Sequence, residues 1–190
     1  MIYKQVQTHA ELAAAALLSH AAHRRLLAQM PWLPERTAED FRARIARCAE
    51  RGTLMGQFEG EQLIAFAGAF HVPNFRNAGA GSYGPDWCQG VTESADTAAA
   101  VRGLYRELAP RLVEAGMRIH AFGAYATEPQ VQQALVELGF GTIVIDAAVP
   151  TEALRNELSP GAARPPSGAS QEISIRRAGE PDAEVIAEQN

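Results

Sequence analysis

The apolar positions along the chain change period several times, and each change marks an element. Residues 2–7, IYKQVQ, are expected to form a first strand. Thr8, followed by Glu11, makes a capping box in front of LAAAALLSHAAHRRLLAQM, whose alanines and leucines lose little side-chain freedom in a helix. MPWLPE breaks that helix with its prolines. Thr37 and Asp40 then repeat the cap before Phe41, Ile45 and Cys48 or Ala49, a spacing that turns one apolar stripe inward on a shorter helix ending near Gly52. TLMGQFEGEQLIAFAGAFHV sets apolar runs on either side of Glu59, Gly60 and Glu61, the pattern of an antiparallel hairpin. After a loop over residues 73–80, GSYGPDWCQGV reads as another strand with a turn or bulge at Gly84 and Pro85.

Ser94 or Asp96 stands where it would cap the next helix. On that helix Val101, Leu104, Tyr105, Leu108, Leu112 and Ala115 share a face, and Gly116 supplies a left-handed stop. Pro110 is expected to kink it or split its last turn. MRIHAFGAYA is the next strand. Pro129 suits the first position of a helix through Val131, Leu135 and Leu138, stopped by Gly139 with Phe140 folding back on the last turn. TIVIDAAV, β-branched and buried in character, is expected as the last strand. Beyond it TEALRNEL suits a short helix and SPGAARPPSGASQ a linker that buries no core. EISIRRAGEPDAEVIAEQ then repeats the opening order of strand, capped turn and helix. The expected organisation is a full domain over residues 1–149, a short helix and linker over 150–171, and the start of a second, truncated domain over 172–190.

Composition narrows the partners. With 190 residues, 47% of them hydrophobic, the chain has room for one core and a remainder. A net charge of −5 gives no basic footprint for nucleic acid and no polybasic cluster for anionic lipid. No apolar run approaches the roughly 18 residues of a membrane span, and MIYKQVQTHAE lacks a signal peptide's basic start and apolar centre, so a cytoplasmic protein is expected. Cys48 and Cys88 are far apart in sequence and read as reduced thiols rather than a structural bridge.

The order of elements resembles the GNAT superfamily of acyl-CoA-dependent N-acyltransferases. QVQQALVELGFGTIVIDAAV is similar to that superfamily's closing helix, Gly-Phe stop and final strand, and ISIRRAGEPDAEVIAEQ to its usual opening. VPNFRNAGAGSYGPDW and VRGLYRELAPRLVEAGMRIHAFGAYATEPQVQQALVELGFG look like the N-terminal halves of bacterial proteins with two tandem GNAT domains. The resemblance implies an α+β fold with a mixed, mainly antiparallel central sheet flanked by helices. It also implies acetyl-CoA as co-substrate, a small-molecule amine as acceptor and a second GNAT domain as partner. Backbone N–H groups near residues 87–90 would hold the thioester and pantetheine, and the following turn would cradle the pyrophosphate at a helix N-terminus. Cys88, Gln89, Gly90, Thr92 and Ser94 are the cofactor-binding candidates on that account.

The chain departs from the superfamily pattern where the chemistry is most demanding. Members usually carry a basic residue or Gln, a glycine three positions on and a small residue two further; counted from Gln89, the last two positions are Thr92 and Ser94. Glu93 and Asp96 bring carboxylates toward a phosphate site. Leu135 occupies the position from which a tyrosine would protonate the leaving thiolate, which leaves Tyr105 or Tyr125 as substitutes and no assigned catalytic residue. The expected role is therefore support of an N-acetyltransferase reaction rather than catalysis by this domain. An active domain with an unusual acid, or a non-catalytic small-molecule or protein binding module on the same fold, is the alternative.

The remaining polar residues have plain structural readings. His20, His23 and His120 fit helix faces and core positions better than a metal site, and no metal is expected. Cys88 beside His71 or His120 would make a nucleophile, against the commoner buried thiol. Tyr83 and Trp87 suit either a substrate mouth or a pair of core anchors. Arg24, Arg25, Arg42, Arg44 and Arg47 are expected on solvated helix faces.

Overall fold

Both expected capping boxes form. In the computed structural model of the chain, which describes residues 1–146, Thr8 Oγ1 accepts from the Glu11 N–H at 3.2 Å and opens α1 (His9–Gln29). The Glu11 carboxylate accepts in return from Thr8 N at 2.9 Å and Gln7 N at 3.0 Å. That return bond shortens the first strand: β1 covers Ile2–Gln5, because the N–H groups of Gln7 and Thr8 turn to the carboxylate instead of the sheet. Thr37 and Asp40 repeat the arrangement at the start of α2 (Ala38–Arg51), whose stripe of Phe41, Ile45 and Cys48 is buried.

The hairpin is β2 (Gly52–Glu59) and β3 (Gln62–Val72), turned at Gly60 with φ 60°. The GSYGPDWCQGV stretch divides into β4 (Gly81–Gly84) and β5 (Gln89–Val91), both antiparallel to β3. Next come α3 (Thr97–Glu114), β6 (Ile119–Phe122) and α4 (Pro129–Glu137). Among the described residues the sheet order is β1-β2-β3-β4-β6 with β5 on β3, and only the β4–β6 pairing is parallel. This is the mixed, mainly antiparallel sheet that the resemblance implied. Alternation along β2 serves both faces. Leu54 and Phe58 join Phe41, Ile45 and Phe66 under α1 and α2, while Met55 joins Leu104, Leu108 and Leu112 under α3. Met1–Ile145 form one compact unit.

Of the two outcomes expected at Pro110 the split does not occur, since α3 runs unbroken to Glu114. Arg106 and Pro110 both lie on the exposed side, so the carbonyl left without an amide partner meets water. Ala115 is exposed at the helix end rather than on the buried face. Residues 142–146 form no strand: Ile143, Val144 and Ile145 are exposed, since β propensity alone supplies no hydrogen-bonding partner. Residues 147–149 of that expected strand, the helix and linker over 150–171 and the second-domain start over 172–190 lie outside the described residues.

The stop of α4 is a Schellman motif. Phe140 N donates to Leu135 O at 3.0 Å and Gly139 N to Val136 O at 2.9 Å, with Gly139 at φ 91°. Phe140 thus folds back on the last turn through its backbone, as expected. It packs edge-on against Tyr105, 5.0 Å between centroids, and Phe122, 5.7 Å, and so ties α4 to α3 and β6.

Gly139→Val forces a β-branched residue into the left-handed region and is expected to cost about 1 kcal/mol or more, read as a lower urea midpoint. Glu11 gives a pH signature. Burial resists its charge, but the Lys4 ammonium 2.6 Å away and the two backbone N–H bonds overcome this and pull its pKa from 4.5 to about 2. A depressed folded pKa means that the stabilisation is complete above 4.5 and is lost as pH falls from there toward 2. Urea midpoints measured across that window should fall more steeply for the wild type than for Glu11→Gln.

Candidate functional site

The site begins where two parallel strands part. β4 and β6 run in register from Gly81 opposite Ile119 to Gly84 opposite Phe122, and Gly123 N adds a last bond to Gly84 O at 2.7 Å. The strands approach closely there: a Cβ on Gly84 would lie 2.5 Å from the Phe122 ring. Beyond this apex residues 85–88 turn, with Cys88 N bonded to Pro85 O at 2.8 Å, and the chain returns to β3 as β5. The chain leaving β6 diverges toward α4. The Gln89 side chain spans the gap, donating to Gly123 O at 2.9 Å. Ser19, buried on α1, fixes the turn from the other face by donating to the Trp87 carbonyl at 2.8 Å.

Hydrogen bonds between β5 and β3 decide what faces the gap. Gly68 N bonds Cys88 O at 2.8 Å and Thr92 N bonds Ile64 O at 2.9 Å, with Gly90 opposite Phe66 between them. Bonded pairs alternate in an antiparallel ladder, so the N–H groups of Gln89 and Val91 point away from β3, into the gap. A cavity of about 440 Å³ lies there. Its walls are β5, the apolar side chains of Val101, Leu104 and Leu108 from α3, and Val131 and Leu135 from α4.

Of the expected cofactor residues, Gln89, Gly90 and Thr92 are in the wall. Cys88 is not: its side chain is buried on the other side of the sheet, with Sγ 3.1 Å from Cys48 Sγ of α2, away from His71 and His120. Ser94 is also outside the wall, exposed, with its hydroxyl 3.4 Å from that of Thr92. The cap of α3 is Asp96 rather than Ser94, its Oδ1 accepting from Ala99 N at 3.0 Å. A carboxylate thus already takes a donor at the helix end where an anion would dock.

Leu135 faces the cavity, and Tyr125 is outside its wall. Tyr105 lines the wall, but its hydroxyl lies 2.9 Å from His120 Nδ1 while His120 Nε2 lies 3.1 Å from Met117 O. A carbonyl only accepts, so Nε2 carries the proton, Nδ1 accepts, and Tyr105 donates to it. Burial raises the pKa of Tyr105. The Tyr125 pKa is also pushed up, first by burial and then by its hydrogen bond to Asp86 and the charges of Asp86 and Glu128.

Sequence reasoning missed Glu128 and Arg25, both in the cavity wall. Glu128 is the N-cap residue of α4, but its carboxylate makes no capping bond. Burial raises its pKa; Arg25 opposes the shift and Asp86 adds to it. Its place immediately before Pro129, the first-turn proline of α4, was the available signal. Arg25, expected on a solvated face, lies 3.8 Å from Glu93, and Arg44 sits 5.7 Å over the Trp87 ring. Trp87 is a core anchor, edge-on to Phe70, while Tyr83 is exposed. His23 bonds the Pro34 carbonyl and packs on Phe41, away from the Tyr105–His120 pair.

No family model and no curated protein matches the sequence. Solved structures do match. The BH1408 protein of Bacillus halodurans, as an F44R mutant, superposes with a TM-score of 0.62 at 16% identity over 79% of this chain and 99% of its own. The aminoglycoside N-acetyltransferase AAC(6')-Iy, in complex with CoA, gives 0.58 at 16% identity over 78% and 93%. A protein of Agrobacterium tumefaciens assigned as an acetyltransferase gives 0.54 at 17% over 79% and 99%. The likeness is one of fold: the chain has the GNAT fold.

Asp96→Ala is expected to cost about 1 kcal/mol of stability by removing the α3 cap, whereas Asp96→Asn keeps an accepting oxygen and most of that stability. Urea titration of both variants tests the cap.

Proposed function

We propose that the chain serves acyl-CoA-dependent N-acyl transfer to a small-molecule amine, and that its first domain supports the reaction rather than catalysing it, beside a second domain beginning near residue 172. The observation that carries this reading is the carboxylate at the α3 N-terminus: Asp96 takes the Ala99 N–H, with Glu93 next to the same turn. Transfer from a thioester needs a neutral amine, donors for the oxyanion and a proton for the leaving thiolate. The inward N–H groups of Gln89 and Val91 suit a pantetheine arm or a thioester oxygen. The loop beyond them does not suit a pyrophosphate, because each carboxylate opposes the phosphate charge. Leu135 gives the thiolate no proton.

Acyl-CoA binding and catalysis in this domain's own cavity is the second reading, favoured by the formed cavity and by Glu128 in its wall. Glu128 would then accept the amine proton, a role suited by a carboxyl whose pKa burial has raised.

Calorimetry with acetyl-CoA on the full chain separates the two. Binding no tighter than about 1 mM is expected at ordinary salt, with affinity recovered in a Glu93→Gln, Asp96→Asn double variant, which removes the charge and leaves the cap oxygen in place. Micromolar binding by the wild type overturns the supporting role. It also predicts that Glu128→Gln lowers kcat/KM at least about 100-fold.

A further inference from the structure

We propose that Cys48 and Cys88 are a redox modification site: a pair that closes to an intramolecular disulfide by exchange with a small-molecule disulfide of the glutathione type. The inference is independent of the function proposed above.

Elements distant in sequence bring the two sulfurs together. Cys48 is on the buried stripe of α2 and Cys88 ends the turn between β4 and β5, yet their Sγ atoms are 3.1 Å apart, about 1 Å beyond a covalent S–S bond of about 2.05 Å. The Cys88 backbone is held on both sides, its N–H by Pro85 O and its carbonyl by Gly68 N. A Cβ on Gly68 would lie 3.0 Å from Cys88 Sγ, so the absence of a side chain at Gly68 makes room for this thiol. Both residues are free thiols and wholly buried.

Burial also sets when the reaction occurs. It pushes the Cys88 thiol pKa well up, so the packed pair presents little thiolate to an oxidant. Exchange takes place before α2 docks, or when α2 opens. One cysteine thiolate attacks the small disulfide, whose S–S bond breaks, to give a mixed disulfide and one small thiol. The second cysteine attacks the mixed disulfide and releases the other small thiol. One S–S bond is exchanged for another: the protein's two thiols are oxidised, the small disulfide is reduced, and the two thiol protons end on the two small thiols. Once α2 has packed, the new bond is shielded from reductant. It joins α2 to the residue before Gln89, the start of the cavity's β5 wall.

The test refolds the full chain in buffers of rising oxidised-to-reduced glutathione ratio and measures intact mass without reductant. The expected result at the oxidising end is a mass lower by two hydrogens, no attached glutathione, and a thermal midpoint above that of the same chain held in dithiothreitol. Cys48→Ser and Cys88→Ser should each abolish both changes. Persistent glutathione adducts, unmodified thiols across the whole series, or a bonded form that melts below the reduced one would overturn the proposal. If a serine variant fails to refold, the wild-type mass and midpoint decide alone.

Discussion

Beyond Gly84 one stretch of backbone has two neighbours and pairs with only one. β4 lies between β3 and β6, but after residues 85–88 the chain keeps β3 and gives up β6. The hydrogen-bonding groups on the abandoned side must then be met by water or a ligand. The opening, the inward amides of Gln89 and Val91, and the placement of α4 across the gap all follow from that single change of partner. The close approach at Gly84 and the Gln89 side chain on Gly123 O limit how far the opening reaches.

A helix N-terminus offers its amides once. At α3 the local sequence spends one of them on Asp96, which stabilises the helix and sets a negative charge where an anion would otherwise lie. Folding and anion binding therefore compete for the same donors. Arg25, at 3.8 Å from Glu93, offsets only the Glu93 carboxylate beside it, and that in part, because exposed pairs at that distance are weak.

Local features were legible in the sequence. Thr8 with Glu11, Thr37 with Asp40, the Gly60 turn and the Gly139 stop each depend on residues within a few positions of one another, and each forms. What the sequence hid depends on pairing across the chain. Nothing local to Cys48 announces Cys88, and Phe140 finds Tyr105 and Phe122 only once α4 lies against α3. Gln89 and Gly90 reached the cavity wall because they lie in the strand that forms it and Thr92 follows directly, whereas Cys88, one residue before that strand, puts its side chain on the far face, where a Cβ on Gly90 would also point, toward Leu18. Glu128 and Arg25 escaped notice because a helix-start acid and a helix arginine are ordinary at the surface. The residues over 142–146 show the reverse error, strong β propensity with no strand beside it.

The buried Ser19 hydroxyl has a consequence for how α1 tolerates changes of length. Thr8 fixes where the helix starts and Ser19 fixes which way it faces, through the Trp87 carbonyl. The stretch between them acts as a ruler marked in angle. One residue inserted or deleted there rotates every later side chain by about 100°, taking Ser19 off its carbonyl and replacing Leu26 in the core with a neighbour. Past Leu26 only the exposed Ala28 and Gln29 stand free of the core, so a change of length costs least there and most in the first half of the helix.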